Sequence, residues 1–267
     1  MDIANILILL LIGCASGLLA GFFGVGGGIV LIPVLLYYFQ SIGVTSLVAT
    51  HVTFGTSLLV ILFSAFASSY QYYRHNQVVW RAVLIIGLAS VVGAFGGSML
   101  AGDLEGKTLQ RIFAVLVAVA AFRLLVDSRK PRGDVEPKLE IPGLAGTGLA
   151  VGLASSLAGI GGGVLSIPIM YSLLHFPLKR AIGTSSATIV ITALAAVIGY
   201  VVRGWGNPLL PGGTLGYVDF VHALPIIVGT VPSATLGAHL AEKTRSSVLK
   251  KGFGLLLLVV ATKMLFL

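Results

Sequence analysis

Charge is what this chain most lacks. Only 10% of its 267 residues are charged, against 57% hydrophobic, whereas a soluble domain carries about 25% charged residues. With a mean hydropathy of +1.03, the chain reads as an integral membrane protein with the lipid bilayer as its surroundings. Cysteine is nearly absent. The lone Cys14 excludes an intrachain disulfide and a thiolate metal site. Acidic residues number nine (Asp2, Asp103, Glu105, Asp127, Asp134, Glu136, Glu140, Asp219 and Glu242), and all fall in loops or at segment ends. No carboxylate stands deep in a span to carry protons or bind sodium, which argues against a cation pathway. No basic stretch precedes the first apolar run and no cleavage site follows it, so residues 3–22 read as a retained span. The net charge of +8 is scattered among loops rather than massed on one face, which argues against a nucleic-acid partner.

What is present is a duplication. Gly24-Val25-Gly26-Gly27-Gly28-Ile29-Val30-Leu31-Ile32-Pro33 returns as Gly159-Ile160-Gly161-Gly162-Gly163-Val164-Leu165-Ser166-Ile167-Pro168, with every glycine and the proline at an offset of 135 residues. In a bilayer, backbone that leaves the helix must be buried in protein or line a wet cavity, because lipid cannot satisfy free peptide groups. Paired interruptions in two halves point to a transport site between repeats.

Long apolar runs lie near 3–23, 29–39, 47–69, 81–101 and 109–126, then near 142–158, 164–176, 181–202, 218–241 and 247–267. The division is a first repeat over 1–126, a polar linker over 127–141 and a second repeat over 142–267. Leu109, Arg111, Phe113 and Arg123 match Leu249, Lys251, Phe253 and Lys263 at an offset of 140, and Ala49-Thr50-His51 aligns with Gly183-Thr184-Ser185 after a one-residue deletion. Placing the basic loops inside divides the 17 Lys and Arg thirteen to four, with Lys107, Arg111, Arg203 and Lys263 outside. The loop after the third segment is then inside and its counterpart at 203–217 outside, so the repeats are inverted, the linker is cytoplasmic and both termini face outward. The fold expected is an all-α polytopic membrane protein of two inverted-topology repeats, each of about five segments with a broken or re-entrant helix at the glycines. The second segment spans about 16 Å at 1.5 Å per residue, which suits either a short tilted span or half of a re-entrant hairpin.

The expected site follows from the breaks. A helix restarts after each triple glycine, so free N–H groups and the positive dipole end point into the break, an arrangement suited to an anion. Gly24, Gly26, Gly27 and Gly28, with Gly159, Gly161, Gly162 and Gly163, are the expected backbone ligands. Small residues also serve close helix packing, the alternative use of the same glycines. Thr50, His51 and Thr53, set against Thr184, Ser185 and Ser186, are candidate hydroxyl and imidazole donors. The competing use of the hydroxyls is back-bonding to their own helix carbonyls. A histidine within a span is a functional candidate, which applies to His51 and, nearer the inner end, to His239. No lysine follows the glycines as in a phosphate-binding loop. Cofactors and metals are not expected. An intramembrane enzyme lacks a nucleophile elbow, a zinc-ligand cluster or a deep carboxylate, and an anchoring scaffold does not call for two glycine breaks.

The duplicated G-x-G-G-G-x(4)-P blocks, each followed by an Ala/Gly-Thr segment, resemble the TauE/SafE family of sulfite and organosulfonate exporters along essentially the whole chain. The resemblance implies an inner-membrane permease for small sulfur oxyanions or sulfur-containing organic acids. By motif position it places the site region at Gly24 to Gly28 and Gly159 to Gly163, with Thr50 and Thr184.

Overall fold

The computed structural model describes residues 3–126 and 140–265; positions 127–139 of the expected linker lie outside the described residues. Ten helices follow the ten apolar runs: α1 (Ile3–Phe23), α2 (Gly28–Ser41), α3 (Ser46–Arg74), α4 (Trp80–Asp103), α5 (Gly106–Val126), α6 (Ile141–Ala158), α7 (Gly163–Pro168), α8 (Leu178–Gly204), α9 (Phe220–Lys243) and α10 (Ser246–Leu265). α7 continues into one π-helical turn, Ile169–Leu173. Six helices (α1, α3, α4, α6, α8 and α9) are long and apolar enough to cross a membrane. α2, at 14 residues, spans about 21 Å, well short of the roughly 30 Å hydrocarbon thickness. Large apolar side chains such as Leu11, Phe66, Leu88, Val92, Phe122, Leu224 and Leu255 face outward, as lipid requires and water disfavours. The chain is a multi-pass membrane protein.

The strongest packing exchanges helices between the halves: α1 lies on α9 and α4 on α6. Glycine makes this possible. Gly13, Gly17 and Gly21 of α1 each abut backbone of α9 at Ile226, Thr230 and Ala234, while Gly148 and Gly152 of α6 abut Ile86 and Ser90 of α4. With almost no hydrophobic drive between helices in lipid, such small-residue contacts supply van der Waals energy by letting backbones approach. The rising contact numbers make α1 parallel to α9 and α6 parallel to α4.

Helix directions follow from other contacts. Gly87, Gly102 and Gly199 place α4 beside α8 in parallel (Ile191, Arg203 and Ser98 being their partners). α3 runs parallel to α9, since Thr56 meets Asp219 and Gln71 meets His239. α3 and α4 are antiparallel: Tyr73 at the end of one touches Trp80 at the start of the other, while His51 reaches Ala101 and Leu104. Thus α1, α3 and α9 run one way, and α4, α6 and α8 the other.

One element departs from the all-α expectation. Thr214–Leu215 (β1) and Val218–Asp219 (β2) pair as an antiparallel hairpin, turned by Gly216 at φ 56°. A positive φ at the first central position is what a two-residue hairpin turn needs. Its Tyr217 lies inside the bundle, its ring 5.0 Å from His51 and its amide donating to Tyr200 O at 3.2 Å. Asp219 then caps α9, accepting from the His222 amide at 2.9 Å and pairing with His222 Nδ1 at 2.7 Å.

The bundle therefore has a hairpin end, with residues 42–45, 104–105 and 205–219, and a linker end, with residues 75–79, 174–177 and 244–245. Arg74, Arg81, Lys179, Arg180, Lys243 and Arg245 gather at the linker end. Asp103, Glu105 and Arg203 lie at the other, where Arg203 pairs with Asp103.

Candidate functional site: two opposed glycine breaks

Both breaks are buried over their whole length, Gly24 to Gly28 and Gly159 to Gly163. Gly24, Gly26 and Gly27 have φ of 68°, 76° and 84°, and Gly159, Gly161 and Gly162 repeat this at 66°, 79° and 97°. An L side chain in this left-handed region costs about 1–2 kcal/mol, which is why both runs are glycine. Each helix then restarts one residue later. Val30 and Leu31 amides are the first to bond back to Gly27 O (3.2 and 3.1 Å), and Leu165 and Ser166 amides do the same to Gly162 O (3.2 and 2.9 Å). The first-turn amides of Gly28 and Ile29, and of Gly163 and Val164, are the ones a helix leaves without an internal acceptor.

The two breaks touch. A β-carbon on Gly28 would stand 3.1 Å from Ile160 Cα, and one on Gly163 would stand 2.5 Å from Val25 Cα. Val25 and Ile160 are themselves equivalent residues of the two motifs. Ile61 of α3 and Ile189 of α8 fill the remaining space: Ile61 abuts Gly26, Gly28 and Gly161, while Ile189 abuts Gly161 and Gly163.

Hydroxyls dispose of the carbonyls. Ser57 Oγ donates to Gly159 O at 2.9 Å and Ser185 Oγ to Gly24 O at 3.2 Å, each crossing to the other half. Ser64 Oγ donates to Gly26 O at 2.9 Å, and Ser166 Oγ lies 2.7 Å from Ser185 Oγ. Serine donors thus neutralise the carbonyl side of the breaks, which leaves the first-turn amides with their helix dipoles as the electropositive face.

These contacts correct the pairing read from the sequence. Ser57 and Ser185 are equivalent, at an offset of 128, and they belong to an identical triplet, Gly55-Thr56-Ser57 and Gly183-Thr184-Ser185. Thr56 Oγ1 accepts from the Asp219 amide at 3.0 Å, and Thr184 Oγ1 from the Val79 amide at 3.1 Å. Asp219 and Val79 each precede the next helix of their own half's partner, at an offset of 140. The neighbouring Gly55 and Gly183 lie against the carbonyls of Tyr217 and Gln77, again 140 residues apart. Thr56, not Thr50, is therefore the counterpart of Thr184.

Of the expected site residues, the eight glycines and Ser185 come together. Thr184 stands on the same helix but is occupied by the Val79 amide. Ser186 back-bonds to Ile182 O at 3.1 Å. Thr50 lies seven residues before Ser57, about 10 Å along the helix, and accepts from Gln110 Nε2 at 2.9 Å. His51 has Nε2 3.1 Å from both Ala101 O and Leu104 O, closing the end of α4. Its counterpart at the same offset, Lys179, donates to Glu242 O at the end of α9. Thr53 is fully buried, and among the described residues its hydroxyl has no partner. Ser57, Ser64, Ile61 and Ile189 are the site-forming residues that the sequence reading missed. The repeated Gly-Thr-Ser triplet was the available signal for the first. Among the described residues no group of His, Cys, Asp and Glu is placed to hold a metal ion.

Comparison with known proteins identifies the family. The family model "Sulfite exporter TauE/SafE" matches residues 9–264. A probable membrane transporter protein of Haemophilus influenzae is 33% identical, covering 97% of each chain. One of Methanocaldococcus jannaschii is 29% identical over 88% of this chain and 86% of its own. A Bacillus subtilis probable membrane transporter protein, YunE, is 24% identical over 98% of each. No solved structure matches. The chain belongs to the TauE/SafE family of membrane transporters.

Proposed function

We propose that this chain exports small anions, namely sulfite, organosulfonates or related sulfur-containing acids, across the cell's inner membrane by potential-driven alternating access. The working parts are two inverted-topology repeats, 1–126 and 142–267, with the 127–141 linker in the cytoplasm and both termini outside. The opposite courses of α1, α3 and α9 against α6, α8 and α4 support the inversion. The family's description supports the substrate class.

The observation that carries the reading is the division of labour at the breaks. Ser57, Ser64 and Ser185 take the carbonyls, and the restarting helices present unpaired amides. A sulfur oxyanion needs donors and a positive field but no hydrophobic pocket, and paired helix starts supply both without an arginine. Thr50 and His51, outside this arrangement, tie α3 to α5 and to the end of α4, and Thr53 is buried outside it with no partner among the described residues. The two breaks touching, with Ile61 and Ile189 wedged between, make this the closed arrangement. Passage requires the hairpins α1–α2 and α6–α7 to part, alternately toward each face. No coupling ion is needed, because a membrane potential supplies about 2.3 kcal/mol per charge per 100 mV, a gradient of roughly fiftyfold for a monovalent anion at about 1.4 kcal/mol per decade.

Proteoliposomes with an imposed potential, loaded in turn with sulfite, taurine-like sulfonates and sulfur-containing carboxylates, test the reading. Efflux of at least one anion that rises with inside-negative potential is expected. Flux indifferent to potential removes the uniport, and no flux of any anion removes the exporter.

A further inference from the structure

The linker end carries a cavity outside the glycine breaks. It has a volume of about 450 Å³ and is lined by Lys179, Lys243, Thr244, Arg245, Ser246 and Ser247, within the size range of small-ligand sites. Three cations line it together with Ser246 and Ser247, while the Thr244 hydroxyl donates to Leu240 O at 2.8 Å. Lys179 is fixed at its edge by donating to the Glu242 backbone carbonyl. Among the described residues that line or adjoin it, the half-buried Glu242 carboxylate stands against three cations. Hydroxyls and charges are thus arranged for a tetrahedral oxyanion, which takes charge-assisted hydrogen bonds from Lys and Arg.

The repeat relation shows that this charge is not a by-product of the fold. At the offset of 140 that relates α4 to α9, Lys243-Thr244-Arg245-Ser246 corresponds to Asp103-Leu104-Glu105-Gly106. The same α-helix ending and the same turn carry Asp103 and Glu105 at the hairpin end and Lys243 and Arg245 at the linker end. Lys179 likewise stands where His51 closes the other turn. Identical backbone has opposite sign at the two ends.

We propose that the Lys179–Lys243–Arg245 cavity is a second anion site, distinct from the glycine breaks, that binds a sulfate-, sulfonate- or phosphate-type group at the linker end. That group belongs either to a free anion held before translocation or to the headgroup of an anionic lipid. General electrostatics admits both, since a basic pocket beside transmembrane helices attracts anionic headgroups as well as soluble ions.

The test is binding, not transport, so it stands apart from the fate of the exporter reading. Purified protein in neutral detergent is titrated with inorganic sulfate and inorganic phosphate by calorimetry. In parallel, retention of phosphatidylglycerol against phosphatidylcholine is measured by native mass spectrometry. Both are repeated on Lys243→Asp/Arg245→Glu, which imports the acids of the other end, and on Lys243→Gln/Arg245→Gln, which removes charge with less disturbance of folding. Affinity for the free ions falling about tenfold or more in both variants establishes a soluble-anion site. The same loss confined to phosphatidylglycerol establishes a headgroup site. Equal binding of both probes by the parent and the glutamine variant overturns the proposal.

Discussion

The middle and the ends of this molecule treat its duplication in opposite ways. At the centre the halves are copies. The glycine dihedrals repeat within about 15°, Ser57 and Ser185 cross to the opposite break, and Tyr72 and Tyr200 hydroxyls donate to Gly21 O and Ser156 O at 2.7 and 2.8 Å. At the ends the halves are opposites, with Asp103 and Glu105 facing Lys243 and Arg245, and His51 facing Lys179. The difference separates two kinds of constraint. Where backbone amides and close glycine contacts form the structure, one atom too many is a clash, so both copies keep one solution. At the two ends of the bundle, away from those contacts, the same turn is free to take either sign.

The largest effect should come from disturbing the copied centre. Gly26→Ala and Gly161→Ala each place a β-carbon at positive φ, 2.6 and 2.5 Å respectively from Ile61 Cγ2. Strain of about 1–2 kcal/mol then adds to a clash with one shared side chain, so each variant should lose at least about tenfold in vesicle flux. Gly43→Ala is the matched control: its φ is 87° but nothing lies within 4 Å. It should insert normally and keep flux within about twofold, since it carries the strain alone. If Gly43→Ala fails as badly as the other two, backbone strain rather than the meeting of the breaks governs activity.

A middle-sized effect tests whether the halves are equivalent one shell out. Thr56→Val and Thr184→Val each keep the side-chain shape but remove the acceptor for a peptide amide, that of buried Asp219 or part-buried Val79. Leaving such a donor unpaired costs about 1–3 kcal/mol. Two losses equal within about 1 kcal/mol are expected from thermal unfolding in detergent. A large loss from one and none from the other would mean that the repeat relation holds for backbone only.

Much of this was legible in the sequence, and what was missed has identifiable causes. Ten apolar runs correspond to ten helices, six of them long and apolar enough to cross a membrane, and the G-x-G-G-G blocks marked the interruptions because only glycine tolerates three left-handed residues there. The alignment of the halves failed at α3 and α8, where the offset falls from 135 to 128 before rising to 140 as connecting segments shorten and lengthen. A one-residue deletion from the first offset matches Thr50 and His51 to Thr184 and Ser185, whereas the identical Gly-Thr-Ser triplet lies six residues further on. The hairpin at 214–219 escaped because two-residue strands leave almost no alternating pattern. The packed face of Gly13, Gly17 and Gly21 was not read from the sequence, and nothing in their spacing names α9 as the partner. Spacing describes one helix at a time, and the exchange of α1 and α6 between halves is a property of two.

The smallest effect lies at a place where the copied centre is not a copy. Ser155 of α6 corresponds to Ala20 of α1 at the offset of 135, and each flanks the last left-handed glycine of its break. A β-carbon on Gly162 would be 3.6 Å from Ser155 Oγ, and one on Gly27 would be 3.2 Å from Ala20 Cβ. Ser155 is 1% exposed, and among the described residues its hydroxyl has no hydrogen-bond partner. A buried hydroxyl without a partner is unfavourable by roughly 1–3 kcal/mol on protein scales, and alanine is also the better helix former. Ser155→Ala should therefore raise the melting temperature by about 1–4 °C while making the second break match the first. Flux unchanged alongside that gain means the two breaks act as equals through their amides alone. A fall in flux despite greater stability means that the closed state holds one hydroxyl in reserve for the anion, and the site is two-sided in shape but one-sided in chemistry.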